Sequence, residues 1–162
     1  MPLNTVQQYV RGVLDGIAIP GQTQTLPAYV QAPPLVPLDG PVAIVWGGRM
    51  RQKRQSMPRG AGFQQLEWQV DVYLSYETST DTDLEPTVDQ EFPLIVDAAM
   101  QALRTTTMPV TITDPTTHQA SQILSVGENM SLEYPPERAP ATLRLAYYTC
   151  QLTTTIMEVI QA

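Results

Sequence analysis

The sequence predicts a single α+β domain: a mostly antiparallel sheet with two helices packed on one face, a protruding basic β-hairpin and a Pro-rich arm. Residues 66–76 alternate apolar and polar side chains, which is typical of a strand with one wet face. Residues 4–16 and 92–104 have helical spacing, and most of the remaining C-terminal half is β-like. A chain of 162 residues suits one domain, and we expect no boundary within residues 1–162.

The first helix is predicted between Asn4 and Gly16, where its apolar side chains recur on one face and Gly16 is a suitable stop. Residues 18–41 follow with six prolines and no periodicity, which predicts an extended Pro-rich arm. Its apolar residues would pack on the chain's own core or on a neighbouring subunit. They are Leu26, Tyr29, Val30, Leu35, Val36 and Leu38.

A short buried strand is predicted at Val42–Trp46, because the run is apolar and bounded by Pro41 and a glycine pair. Residues 47–62 would form a basic hairpin loop, and the chain would return through the alternating strand at 66–76. This arrangement places the positive charge at the tip of a β-hairpin.

After the hairpin, residues 77–91 are predicted to be an acidic link into a second helix at Phe92–Arg104, with Pro93 in its first turn. The remaining strands are predicted at 110–113, at 123–126, through the alternating Met130, Leu132 and Tyr134, and at 141–157. They lie in this order along the chain.

Residues for catalysis are scarce, so we expect no enzyme, no metal site and no cofactor. The chain has one His and one Cys, too few for a zinc cluster or a base oriented by a third group. His118 is expected in an exposed turn and Cys150 as a buried structural thiol. The single Cys indicates a reducing compartment, and we expect neither a signal peptide nor a membrane span.

The charges are segregated along the chain, whose formal net charge is -7. The basic cluster at 49–59 has three interpretations: a solvated hairpin tip, a nucleic-acid contact, or a contact between subunits. The last is favoured, because opposite charges on copies of one chain steer association and set register. The candidate interface residues are Arg49, Arg51, Lys53, Arg54 and Arg59, with Asp81, Asp83, Glu85 and Asp89 as the reciprocal set.

The order of elements resembles that of the tail terminator (tail completion) proteins of long-tailed bacteriophages. The parts that carry the resemblance are the N-terminal helix, the strand PVAIVWGG, the basic hairpin leading into FQQLEWQVDVYLSY, the helix FPLIVDAAMQAL, and the C-terminal unit ILSVGENMSLEYPPERAPATLRLAYYTCQL. The resemblance covers nearly the whole chain and depends on order and spacing.

The resemblance implies a virion protein, assembled in the host cytoplasm, that forms a homohexameric ring at the tail neck. Such a ring ends polymerisation of the tail tube and meets the head–tail connector, while DNA passes through its lumen without specific binding. Two alternatives remain: another neck, stopper or tail-tube-like subunit, or a nucleic-acid-binding module that uses residues 49–59.

Overall fold

A computed structural model describes residues 3–31, 40–55, 63–78, 85–118, 120–133 and 146–161. In chain order the elements are α1 (Leu3–Leu14), β1 (Ile17–Ala18), β2 (Thr25–Leu26), β3 (Ala28–Val30), β4 (Gly40–Gln55), β5 (Phe63–Thr78), α2 (Glu85–Thr105), β6 (Val110–Thr113), β7 (Ala120–Glu133) and β8 (Ala146–Gln161).

Six strands form one sheet in the order β3-β4-β5-β8-β7-β6. Every neighbouring pair is antiparallel except β3 and β4, which run parallel. β1 and β2 make a separate small antiparallel pair. The predicted α+β fold with a mostly antiparallel sheet is therefore confirmed.

The core lies between the helices and one face of the sheet, which we call the inner face. On β5 the inner face carries five buried side chains at every second position: Leu66, Trp68, Val70, Val72 and Leu74. Their partners on β8 are equally buried and include Cys150, Leu152 and Ile156. The alternation of residues 66–76 thus predicted both the strand and the face that packs.

α1 places Val6, Val10 and Leu14 in this core, as its spacing predicts. Gly16 follows the helix with a φ of 80°, and its N–H donates to the carbonyl of Leu26 at 2.8 Å. The predicted helix and its glycine stop are confirmed.

α2 begins at Glu85, seven residues before the predicted start. Its core-facing residues are those predicted, namely Phe92, Ile95, Val96, Ala99 and Leu103. Pro93 lies inside the helix. Because proline has no N–H, the helical hydrogen bond from position 93 to the carbonyl of Asp89 is missing. The prediction of an acidic link over 77–91 was wrong at both ends, since Glu77 and Thr78 end β5 and Glu85–Glu91 are helical.

The first part of the predicted Pro-rich arm belongs to this chain's own fold. Leu26 and Ala28 are buried in the core, and β3 adds an edge strand beside Ala43–Val45. Leu26 is therefore not available to a neighbouring subunit, while Tyr29 and Val30 are half-buried. Leu35, Val36 and Leu38 lie outside the described residues.

Residues 47–62 are not a loop throughout, because β4 continues to Gln55 and pairs with β5 as far as Phe63. Gly47 and Gly48 form a β-bulge within β4 and do not end the strand. β8 accompanies β5 to the same level, so the hairpin is continuous with the sheet. Residues 56–62, with Arg59, lie outside the described residues.

The C-terminal strands are also longer than predicted. Residues 120–133 form one strand, β7, whose two irregularities fall between Ile123 and Ser125 and between Val126 and Met130. A bulge interrupts the apolar alternation without ending the strand, which explains why the sequence predicted two strands. β8 runs four residues beyond the predicted end at Met157, and residues 141–145 lie outside the described part.

Candidate interaction surface

The face of the sheet opposite the core, which we call the outer face, carries the exposed Trp46, Arg49 and Arg51 of β4 and Tyr73 of β5. On β5 the outer positions are odd-numbered, from Gln65 to Ser75, because successive side chains alternate between faces. Cross-strand partners share a face, so Ile44, Trp46, Arg49 and Arg51 belong to it as well. The buried residues of both helices pack in the core cluster on the inner face.

Trp46 is the most exposed of the large apolar residues in the described chain, at 53%. It lies opposite Asp71, diagonal to Tyr73, which is 38% exposed and itself opposite Ile44. The sequence predicted a buried strand here because the run from Val42 to Trp46 is apolar. The structure corrects this for Trp46. Within the run, only Ala43 and Val45 belong to the core cluster, and the side chain of Trp46 lies on the opposite face of the strand from theirs.

The bulge that follows Trp46 is held by α1. The side-chain amide of Gln7 is buried and donates to the carbonyl of Gly47 at 3.1 Å. A Cβ atom at Gly48 would lie 2.7 Å from Leu3 Cδ1 and 3.1 Å from the carbonyl oxygen of Gln69. A side chain at position 48 would therefore require the Leu3 side chain to move and the backbone at Gln69 to shift slightly. The first helix thus contacts both glycines of the bulge between Trp46 and Arg49.

Arg49 and Arg51 are both exposed on this face, directly opposite Gln69 and Glu67. They lie in β4 and not in a loop tip, which corrects the predicted hairpin-loop placement. Lys53 and Arg54 also belong to β4. An acid directly across the strand from Arg51 contributes only about 0.2–1 kcal/mol, so both arginines remain available to a partner.

A second acid on the outer face already has a partner inside the chain. Asp71 accepts a hydrogen bond from the hydroxyl of Thr153 on β8 at 2.8 Å. Its neighbours across β8 are mainly threonine and glutamine, so the outer face is polar with little charge beyond β5.

The two described members of the predicted acidic set lie on a different element from the described members of the predicted basic set. Glu85 and Asp89 lie in the first turns of α2, and this helix packs in the core on the inner side of β5, β7 and β8. Asp81 and Asp83 lie outside the described residues. Within one chain, therefore, the exposed arginines and the α2 acids belong to opposite sides of the sheet.

Three further polar residues singled out by their chemistry lie away from this surface or are buried. His118 is exposed in the turn after β6, as predicted, and its N–H donates to the carbonyl of Asp114. The buried carboxylate of Asp114 accepts the backbone N–H groups of Thr116 and Thr117 at 2.7 and 2.8 Å. Cys150 is buried, also as predicted, and burial raises the pKa of its thiol to about 12.

In the described part of the chain, no three His, Cys, Asp or Glu side chains are grouped to hold a metal ion. Neither α1 nor the described α2 combines the length and the apolarity needed to cross a membrane. A comparison with models of known protein families found no match, and a comparison with curated proteins found no significant relative.

Proposed function

We propose that this protein is a structural subunit that assembles with copies of itself into a ring. We further propose that this ring lies at the neck of a long-tailed phage, where it ends the tail tube and meets the head connector. The observation that carries the assembly proposal is the outer face of the sheet, where Trp46 is 53% exposed beside Tyr73 and Arg49.

An exposed tryptophan between an exposed tyrosine and two arginines has the composition of an interface hot spot. Trp, Tyr and Arg are the residues whose truncation most often weakens protein–protein contacts, by about 2 kcal/mol or more each. The segregated charges support self-assembly, because Arg49 and Arg51 face away from the acids of α2 in the same chain. They therefore suit a head-to-tail contact, which closes into a ring when the rotation permits.

The neck assignment is supported by the sequence resemblance and by the α+β fold that it implied. A ring around passing DNA also suits a chain of net charge -7, since an acidic lumen repels phosphates and does not retain them.

Multi-angle light scattering over a concentration series tests the assembly proposal. We expect a mass several times that of the chain. The Trp46→Ala substitution should raise the dissociation constant of the assembly about 30-fold, which corresponds to a loss of about 2 kcal/mol in binding free energy. Leu94→Ala is the matched control, because Leu94 is exposed to 41% but lies on α2. A monomer at all concentrations, or equal loss in both variants, would contradict the role of the outer face.

A second function is favoured by the same residues: binding of single-stranded nucleic acid. The sequence shows no aromatic residue among the arginines, but the fold brings Trp46 and Tyr73 beside them on one sheet face. Bases stack on such exposed rings and basic residues follow the backbone. Fluorescence anisotropy with a labelled oligothymidine at low salt distinguishes the two, since tight, salt-sensitive binding by a monomer would favour this second function.

A further inference from the structure

Among the described residues, the edge of β4 away from β5 has a partner strand only at Ala43–Val45, and we call the part from Trp46 to Gln55 the open edge. β3 pairs only with Ala43–Val45, and its last bond to β4 is from the N–H of Gln31 to the carbonyl of Val45 at 3.0 Å. From Trp46 to Gln55, no strand in the described chain pairs with β4 on the side away from β5. Such an edge is a template for an added strand.

The backbone groups that face this open edge can be assigned from the ladder. The N–H of Ala43 donates to the carbonyl of Pro27, and the carbonyl of Val45 accepts from the N–H of Gln31. The backbone groups of Ala43 and Val45 are therefore directed to β3, and those of Trp46 are directed to β5. The backbone groups of β5 alternate in direction without interruption, so those of Gln69 are directed to β4, as those of Asp71 are. The backbone groups of its partner Arg49 are therefore directed to β5.

By the same alternation the backbone N–H and C=O groups of Arg51 are directed to β5. The N–H and C=O groups of Met50, Gln52 and Arg54 are therefore directed to the open edge.

Charge decides what kind of strand fits. Pairing two copies of this edge about a two-fold axis would bring the exposed Arg49 and Arg51 of both copies onto the same face of the joined sheet. Like charges facing one another across strands are destabilising. A partner strand with acidic side chains two residues apart avoids this repulsion and places both carboxylates on the arginine-bearing face. The chain itself contains such a spacing, since Asp81 and Asp83 alternate with threonines in Thr80-Asp-Thr-Asp.

We propose that the open edge of β4 binds an acidic segment of a second copy as an added strand, with Met50, Gln52 and Arg54 supplying the backbone hydrogen bonds. The added strand lies head-to-tail and contains Asp81 and Asp83. Main-chain bonds provide affinity, and the pairs with Arg49 and Arg51 set the register. This inference rests on the proposed self-assembly and states how the contact is made.

Proline substitution tests the backbone contact. Gln52→Pro removes an N–H that faces the open edge and leaves the bonds between β4 and β5 in place, and proline is tolerated at such positions of edge strands. We expect Gln52→Pro to raise the dissociation constant measured by sedimentation at least tenfold. Gln52→Ala keeps the N–H and should change this constant less than twofold. Circular dichroism melting establishes that both variants are folded.

Amide hydrogen exchange on the unaltered protein gives a second, independent readout. In the assembled state the amides of Met50 and Gln52 should exchange at least tenfold more slowly than in the diluted protein. The amide of Arg51, bonded to β5 in both states, should change little. A peptide of residues 77–86 should reproduce the protection, and the same peptide with Asp81→Asn and Asp83→Asn should not.

The outcomes separate the two proposals. A protein that never assembles contradicts the proposed function. A protein that assembles with unprotected Met50 and Gln52 amides, or with Gln52→Pro unaffected, contradicts strand addition alone.

Discussion

The indole N–H of Trp68 donates a 2.7 Å hydrogen bond to Oε2 of Glu158, and both side chains are buried between the sheet and the helices. The two residues are diagonal neighbours on β5 and β8, since Trp68 lies opposite Ile156 and Leu66 opposite Glu158. A buried carboxylate depends strongly on such donors, because losing one leaves part of its desolvation cost uncompensated.

We therefore expect Trp68→Phe to lower the free energy of unfolding by about 1–3 kcal/mol through the lost donor, with a further loss from the smaller ring. Urea unfolding followed by circular dichroism measures this change. Leu94→Ala on α2, where Leu94 is 41% exposed, is the control and should change stability by less than about 0.5 kcal/mol. Equal effects in the two variants would show that the bond to Glu158 contributes little.

Gly127 interrupts β7 with a φ of 75°, and a Cβ atom there would lie 3.1 Å from the carbonyl carbon and oxygen of Leu103. Gly127→Ala should destabilise the fold by at least about 1 kcal/mol, because the residue would be strained and would press on the end of α2. Gly12→Ala is a matched change inside α1, where the added Cβ would meet no atom within 4 Å apart from its chain neighbours and the nearby backbone of its own helix. It should stabilise by about 0.5–1 kcal/mol. Chemical denaturation of both variants checks the opposite signs, and destabilisation by both would contradict the argument.

Asp114 should make stability depend on acid. The backbone N–H of Thr117, with that of Thr116 and the hydroxyls of Thr117 and Thr5, holds the pKa of this carboxyl below its usual value. The unfolded chain then takes up a proton before the folded one does. The stabilising contribution is present above a pH of about 4 and is lost as the pH falls through the lowered pKa.

Asp114→Asn keeps an oxygen acceptor for the turn but removes the charge. We expect its thermal midpoint to fall below that of the unaltered protein at pH 7, and the difference to shrink as the pH approaches 3. The exposed Asp97→Asn provides the control at each pH. A difference that does not depend on pH would mean that shape, and not charge, sets the contribution of Asp114.

Cys150 should be chemically silent in the folded protein. Its thiol is buried and has a pKa raised to about 12 by burial, so almost no thiolate forms near neutral pH. An aromatic disulfide reagent at pH 8 should react with one equivalent of thiol in guanidinium chloride and with very little in buffer. Because the unfolded thiol ionises near pH 9, the protein should also lose stability as the pH rises from there toward 12. Rapid reaction in buffer would show that β8 opens readily.

Much of the fold could be predicted from particular residues. The alternation from Leu66 to Tyr76 predicted β5 and its buried face, and the spacing of Val6, Val10 and Leu14 predicted α1. The errors have two causes. Gly47-Gly48 and Gly127 resemble strand ends, but each forms a bulge that pairing on either side carries through. Pro93 resembles a helix start, but two acidic turns precede it.

The candidate surface was only half predictable. The arginines were evident from composition, but they were expected at the tip of a loop. Trp46 was missed because an apolar run of five residues does not reveal which alternate positions meet the core. Because side chains alternate along a strand, a core position at Ala43 and Val45 implies that Trp46 lies on the other face, and this was the signal that could have found it.

By itself, the sequence determined the class of fold, the core positions of the helices and of β5, and the separation of charges along the chain. These follow from periodicity and composition, which are local properties. The tertiary structure was needed to show that Trp46, Tyr73, Arg49 and Arg51 share one sheet face, and that beyond Val45 no described strand pairs with the edge of β4 away from β5. Register, bulges and strand order depend on contacts between distant residues, because one residue of slip moves every side chain to the other face.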